Sequence, residues 1–305
     1  MILATDFKCF VKILFSVCLL FFQRASIFAQ NQKVADSLVK IYQKNKLENS
    51  EKLELLRNLS FNEVNNLELS LKYADELIAL SKLEKNYLYL HRGYYQKGNK
   101  NRLIGDLNKA LNDFFKSAEA ASKAKFITGK GVAYMSIADV YSIMGNANNA
   151  EVYYTKSIDL LRKTKDSIAL ASALLNAGDE YSKNKKFNLA LKHFEEARVI
   201  FDKTNYLIGT GYTLGNIGMV YTKQGDNELG KIYITKAIKI LEKLKDFYAM
   251  SEYLLYMSDI YLTQNDWTTS LRYAKQSLDL AQKYGLKEQI SNSNLKISGL
   301  YQKSG

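Results

Sequence analysis

The sequence contains no proline, 16 glycines, two cysteines, two histidines and one tryptophan in 305 residues. A large β fold draws on proline and glycine for its turns, so helices joined by short loops fit this composition better. Both cysteines, Cys9 and Cys18, stand near the amino terminus. Past them no disulfide, thiolate metal site or cysteine nucleophile can form. The two histidines, His91 and His193, fall at different places in the sequence pattern described below, so a shared metal or catalytic site is not expected. Each reads as a surface or boundary residue. Gly209, Gly211, Gly215 and Gly218 look superficially like a nucleotide loop, but Leu214 stands where a dinucleotide motif needs its third glycine and no strand precedes it. Gly129-Lys130-Gly131 lacks the upstream glycine of a phosphate loop. The expectation is a chain with no catalytic residues, no metal and no cofactor.

Hydrophobic residues make up 47% of the chain, enough for a folded protein. The net charge is +12, but the basic residues are interspersed with acidic ones and no run of five appears. Such a surplus keeps molecules apart in solution and does not require a nucleic-acid partner. Residues 1–29 read as a signal peptide. Lys8 and Lys12 precede Ile13 to Phe22, a stretch that is apolar but for Ser16, and Ala29 offers a cleavage point before Gln30. The other reading of this segment is an uncleaved anchor. The chain is therefore expected in the periplasm or cell envelope, touching the membrane only through this leader or through a further carboxyl-terminal segment.

Self-similarity sets the fold expectation. Tyr141, Tyr181, Tyr221, Tyr261 and Tyr301 recur every forty residues. Three residues before each comes a small residue: Ala138, Gly178, Gly218, Ser258 and Ser298, with Gly98 ahead of them. A second small column runs through Ala110, Ala150, Ala190, Gly230 and Ser270, and a lysine column through Lys123, Lys163, Lys203, Lys243 and Lys283. Leu174, Ala177, Gly178 and Tyr181 are spaced as one face of a helix, and so are Phe187, Ala190, Leu191, Phe194 and Ala197 after a polar break. Gly105-Asp106, Gly145-Asn146, Gly225-Asp226 and Asn265-Asp266 occupy the break, where glycine or asparagine ends a helix in the left-handed conformation. Each unit is thus predicted to be a helical hairpin closed by its small column, with the lysines complementing the carboxyl end of the second helix.

Gly178, Tyr181, Ala190, Phe194 and Ala197 reproduce a small–tyrosine–alanine–aromatic–small signature that resembles the tetratricopeptide repeat family. The forty-residue period exceeds the family's usual value of about thirty-four and is similar to the variant of kinesin light chains and bacterial signalling regulators. The proline that commonly closes each repeat is missing, and the first unit (Asn58, Phe61, Ser70, Ala74, Leu77) keeps the columns weakly. The expected fold is all-α, a right-handed superhelical solenoid of antiparallel helix hairpins. It comprises a covering helix within 30–50 and an array over 51–305, with units starting near 51, 91, 131, 171, 211 and 251 and a partial unit at 291–305. Tyr301 to Gly305 align with Tyr221 to Gly225, so the last helix either caps the stack or leads into more chain.

The resemblance implies that first helices line a concave groove that holds a peptide or a partner's helix. One column on that face holds Gln96, Ser136, Asn176, Asn216 and Tyr256; its stacked amides could pair with a peptide backbone. A second holds Asp139, Asp179, Met219 and Asp259, with Asn99 ahead and with Lys183 and Lys223 flanking it, an acidic stripe that could select a basic or amino-terminal partner. The expected partner is a protein or peptide in that groove. The resemblance implies an extracytoplasmic sensory or scaffolding part of a bacterial signalling protein (histidine kinase, cyclase or transcription regulator). The alternative is a self-contained envelope scaffold that organises an assembly.

Overall fold

The structure, a computed structural model, describes residues 30–44 and 46–304. The expected leader at 1–29, with Cys9, Cys18 and Ala29, lies outside the described residues, as does Gly305. The described residues form an all-α chain: α1 (Gln32–Lys44), α2 (Asn49–Asn62), α3 (Leu67–Leu83), α4 (Tyr87–Ile104), α5 (Leu107–Lys123), α6 (Ile127–Ile143), α7 (Ala147–Leu161), α8 (Ser167–Lys183), α9 (Phe187–Lys203), α10 (Leu207–Lys223), α11 (Asn227–Leu244), α12 (Phe247–Thr263), α13 (Trp267–Lys283) and α14 (Lys287–Ser304).

From Tyr87 onward every helix begins twenty residues after the one before it. The turns explain this regularity. A residue at positive φ ends one helix, and the next residue begins the following one. Positive φ occurs at Lys85, Gly105, Lys125, Gly145, Lys185, Asn205, Gly225, Lys245, Asn265 and Gly285. The side chains of Asn86, Asp106, Asn146, Asp166, Asp226, Asp246 and Asp266 then accept the N–H three residues on, satisfying a donor that the helix itself cannot. Only four of these turns were visible in the sequence; four of the others put lysine, an unexpected residue, in the left-handed region. The turn after α7 departs from the rule: the helix stops at Leu161, whose carbonyl accepts the Thr164 hydroxyl at 2.8 Å. The hairpins begin near 87, 127, 167, 207 and 247, four residues ahead of the expected starts. Their caps start each helix before the small and aromatic columns become legible.

Two compact units divide the described residues, one up to Leu77 and one from Ile78 onward. In the first, Ala35 of α1 is buried, as are Leu53, Leu56 and Leu59 of α2 and Tyr73, Ala74 and Leu77 of α3. Tyr42 donates to Glu76 at 2.8 Å and meets the Tyr73 ring edge-on at 5.2 Å.

In the second unit, hydrogen-bonded partners twelve residues apart lie beside the hairpin turn, as Asn101 with Asp113 and Ser258 with Ser270. Partners twenty-six apart lie at the open end: Ser117, Ser157 and Ser277 donate to the carbonyls of His91, Gly131 and Ser251. That progression makes the two helices antiparallel. The small column sits where they come closest. A Cβ on Gly98 would fall 2.8 Å from the Phe114 ring, and one on Gly178 2.5 Å from the Phe194 ring. Lys123, Lys203 and Lys283 end their helices as expected, next to unpaired carbonyls that favour a cation.

His91 corrects the sequence reading. It is buried, its Nδ1 lies 2.8 Å from the Ser117 hydroxyl, and burial lowers its pKa to about 4. Phe126 and Tyr95 flank the ring. His193 does lie at the boundary, against Tyr181.

Candidate functional site

The residues predicted to line a groove all fall on the first helices of unit 2, side by side. Hydrogen bonds and ion pairs link each first helix to the next. Between α4 and α6, Ser136 donates to the Tyr95 hydroxyl at 3.4 Å and Arg102 lies 4.0 Å from Asp139. Between α6 and α8, Asn176 donates to Asp139 at 3.1 Å, and Ser142 donates to Glu180. Lys223 of α10 donates to Ser182 of α8 at 3.3 Å. Tyr253 of α12 donates to Asn216 of α10 at 3.1 Å, its ring filling the space a side chain at Gly215 would need. Lys296 of α14 pairs with Asp259 of α12.

Ser136, Asn176, Asn216, Asp139, Asp259 and Lys223 thus cross-brace the wall, whereas Asp179 pairs with Lys183 on its own helix. Asn176 and Asn216 do not stack on each other. Each spends one amide atom on the neighbouring hairpin, while Oδ1 of Asn176 and Nδ2 of Asn216 have no partner among the described residues. Gln96, Ser136 and Met219 are buried and form the floor, because their positions turn toward the seam between first helices. Tyr256, Asp139, Asp179 and Asp259 are half-buried, and Lys183 and Lys223 are exposed or half-exposed.

The electrostatics follow from this packing. Burial pushes the Asp139 carboxyl above its usual range, against the opposing pull of Tyr154, Arg102 and Asn176; Tyr154 donates to it at 2.7 Å. Asp179 pairs with Lys183 at 2.7 Å. Glu252, half-buried on α12, is raised by burial first and then by Asp179 and Glu288, with Lys223 and Lys183 opposing. Asp179 and Glu252 sit two hairpins apart yet act on one another, as charges on an inward-curved wall do. Burial, Glu252 and Asp179 together push the Tyr256 hydroxyl up to about 12.

Sequence reasoning missed Arg102, Ser142, Tyr154, Glu180, Ser182, Glu252, Tyr253 and Lys296. The signal of the braces is a spacing near, but not equal to, the period, with partners 37, 38 or 41 residues apart, while Tyr154 meets Asp139 fifteen residues away within one hairpin. Among the described residues no group of three or more His, Cys, Asp or Glu is placed to hold a metal ion, and no helix is long and apolar enough to cross a membrane.

The tetratricopeptide repeat pattern matches residues 131–203 and, in a second form, residues 212–244. These segments are tetratricopeptide repeats. They span α6 to α9 and most of α10 and α11. Among solved structures, the apo form of RapI is similar over 81% of this chain and 89% of its own, with TM-score 0.65 and 19% identity. A Rap protein complexed with competence and sporulation factor is similar over 89% of this chain and 81% of its own, with TM-score 0.63 and 12% identity. A STAND signal-transduction ATPase from Pyrococcus horikoshii, which has a tetratricopeptide repeat sensor, matches over 85% of this chain and 42% of its own, with TM-score 0.67 and 15% identity. At these identities the likeness is one of fold. No curated protein matches the sequence.

Proposed function

We propose that this chain is a non-catalytic, protein-binding repeat module that receives a peptide or protein segment on the first-helix wall of unit 2. In this reading it is exported, with its leader cleaved near Ala29, and serves as a sensory or scaffolding part of a bacterial signalling protein. One observation carries the binding reading. The wall joins six first helices by polar cross-braces and still leaves Lys183 and Lys223 exposed and Asp179, Glu252, Tyr256 and Asp259 half-exposed. Side chains locked by neighbours lose little entropy when a ligand arrives, so such a surface is preorganised. The Rap protein whose structure holds competence and sporulation factor supports the same reading.

The test places a photocrosslinking amino acid at Tyr256 on the wall and, in a second variant, at the exposed Lys239 of α11, in cells that make the protein. A protein or peptide adduct is expected from Tyr256 alone. Equal adducts from both positions, or none from Tyr256, reject the wall as the site. Intact mass of the purified product reports whether cleavage occurs near Ala29.

A further inference from the structure

Four large aliphatic side chains stand in water at the carboxyl ends of α4 and α6: Leu103 is 63% exposed, Ile104 52%, Ile143 57% and Met144 43%. The fold does not require them. Forty, eighty and a hundred and twenty residues after Ile143 and Met144, the same two places hold Lys183 and Asn184, Lys223 and Gln224, and Thr263 and Gln264. Contiguous exposed apolar surface of this kind marks an interaction site. The strip is continuous with the basic one, since Arg102 with Asp139, Ser142 with Glu180 and Lys223 with Ser182 join α4, α6, α8 and α10 at this edge.

We propose that this edge docks a partner-protein segment in which apolar side chains are followed by carboxylates: Leu103, Ile104, Ile143 and Met144 take the apolar part, Lys183 and Lys223 the acidic part. The proposal rests on the protein-binding reading above and adds the chemistry of the partner. Charge complementarity selects the occupant. The Lys183 ammonium gives one bond to Asp179 and that of Lys223 one to Ser182, leaving donors on both. Arg102, next to Leu103, stays 4.0 Å from Asp139, and its Nε has no hydrogen-bond partner. The net charge is +12 for the whole chain and +10 without the +2 of residues 1–29, a surplus that attracts an acidic segment and repels a second copy of the chain. Four aliphatic side chains on two helix ends, with no amphipathic helix lying flat beside them, do not make a bilayer-binding surface.

Fluorescence anisotropy with the purified full-length chain tests this. The probe is a fluorescein-labelled synthetic peptide with leucines in its first half and glutamates in its second; controls exchange glutamate for lysine, or leucine for serine. The first peptide is expected to bind at least tenfold more tightly than either control. Leu103→Ser with Ile143→Ser, and separately Lys183→Ser with Lys223→Ser, are each expected to weaken it at least tenfold. Leu103 and Ile143 are more than half exposed, and the lysine double variant gives up the pair with Asp179 and the bond to Ser182, so helicity by circular dichroism is confirmed for each variant at the temperature where binding is read. No binding up to about 1 mM, equal binding of the lysine peptide, or affinity untouched by both double variants overturns the proposal. Dissociation of a dimer by the Leu103/Ile143 variant in sedimentation would assign the edge to a second copy. Flotation with phosphatidylglycerol vesicles that this variant abolishes would assign it to lipid. The two readings fail separately: Tyr256 adducts that survive the Leu103/Ile143 variant with no peptide bound sink only the edge, and peptide binding without Tyr256 adducts sinks only the wall.

Discussion

An alanine at Gly218 would set its Cβ 2.7 Å from Cγ1 of Ile234 and 3.0 Å from both the Gly230 carbonyl oxygen and the Ile234 nitrogen. Two of those three contacts are backbone, so no side-chain rotation relieves them; α10 and α11 must move apart. Overpacking of this kind costs about 1–3 kcal/mol. The alanine recovers about 1 kcal/mol because glycine is a poor helix former. The net loss is therefore about 0–2 kcal/mol for alanine, and about 2 kcal/mol or more for leucine, which brings three more carbons into the same seam. In a unit of this size 1 kcal/mol moves the melting temperature by roughly 2–4 °C, so Gly218→Leu should melt about 4–8 °C lower. Gly299 supplies the control, since its Cβ would meet nothing within 4 Å on α14. There the helix-propensity gain stands alone, and Gly299→Ala should be stabilised by up to about 1 kcal/mol. Circular dichroism melts and urea titrations measure both, with the urea slope watched because neighbouring repeats can uncouple. A Gly218→Leu protein as stable as the parent, or a Gly299→Ala protein as damaged as Gly218→Ala, would refute the seam.

His91 has a folded pKa of about 4 against an ordinary value of 6.5, so between those values the unfolded chain binds the proton and the folded chain does not. Stability should fall as pH drops through that window, by up to about 3 kcal/mol, and His91→Gln should flatten the slope in pH-dependent urea unfolding. Glu252 behaves in the opposite sense: its folded pKa is raised, so its contribution is present in acid and lost as pH rises through that value. Glu252→Gln should accordingly raise the melting temperature near neutral pH and leave it unchanged in acid; a drop at neutral pH would mean that the carboxylate has a stabilising partner. Lys185 holds φ at 59°, where a side chain costs roughly 1 kcal/mol. Lys185→Gly should therefore gain a few tenths to about 1 kcal/mol after the extra freedom glycine has when unfolded, and a loss in thermal stability would contradict the turn geometry. Asn176→Ala with Asn216→Ala removes one brace from Asp139 and one from Tyr253, so this pair should now cost about 1–3 kcal/mol of stability, readable by chemical denaturation.

The hairpins, their small seam and four of their turns could be read from the residues because each rests on contacts within one repeat, where identical spacing recurs. The cross-braces could not. Asn176 meets Asp139 and Tyr253 meets Asn216 across hairpins, each 37 residues apart, an interval offset from the forty-residue period by how successive units rotate, so a search for residues that recur at the period passes over them. The asparagine column looked like a ligand ladder for this reason: an amide facing a groove and an amide bridging two helices have the same identity and period. His91 was misread because the aromatic and serine partners that bury it lie outside its own helix, Ser117 on α5 and Phe126 in the turn before α6. The apolar edge at Leu103 and Ile143 was legible as composition, but its exposure depends on where α4 and α6 end.

The twenty-residue spacing of helix starts limits how a gene of this kind can change length. An insertion of a few residues inside a helix rotates everything after it about the helix axis and sends the seam glycines toward solvent. Loss of twenty residues keeps every cap and turn but makes the next helix of first-type follow another of its kind, two walls meeting with no partner face. Only a multiple of forty restores both the turn chemistry and the alternation of faces. Recombination between matching turns such as Gly105-Asp106 and Gly145-Asn146 would then remove a whole hairpin cleanly. The same recombination run the other way would lengthen the binding wall by one first helix at each step.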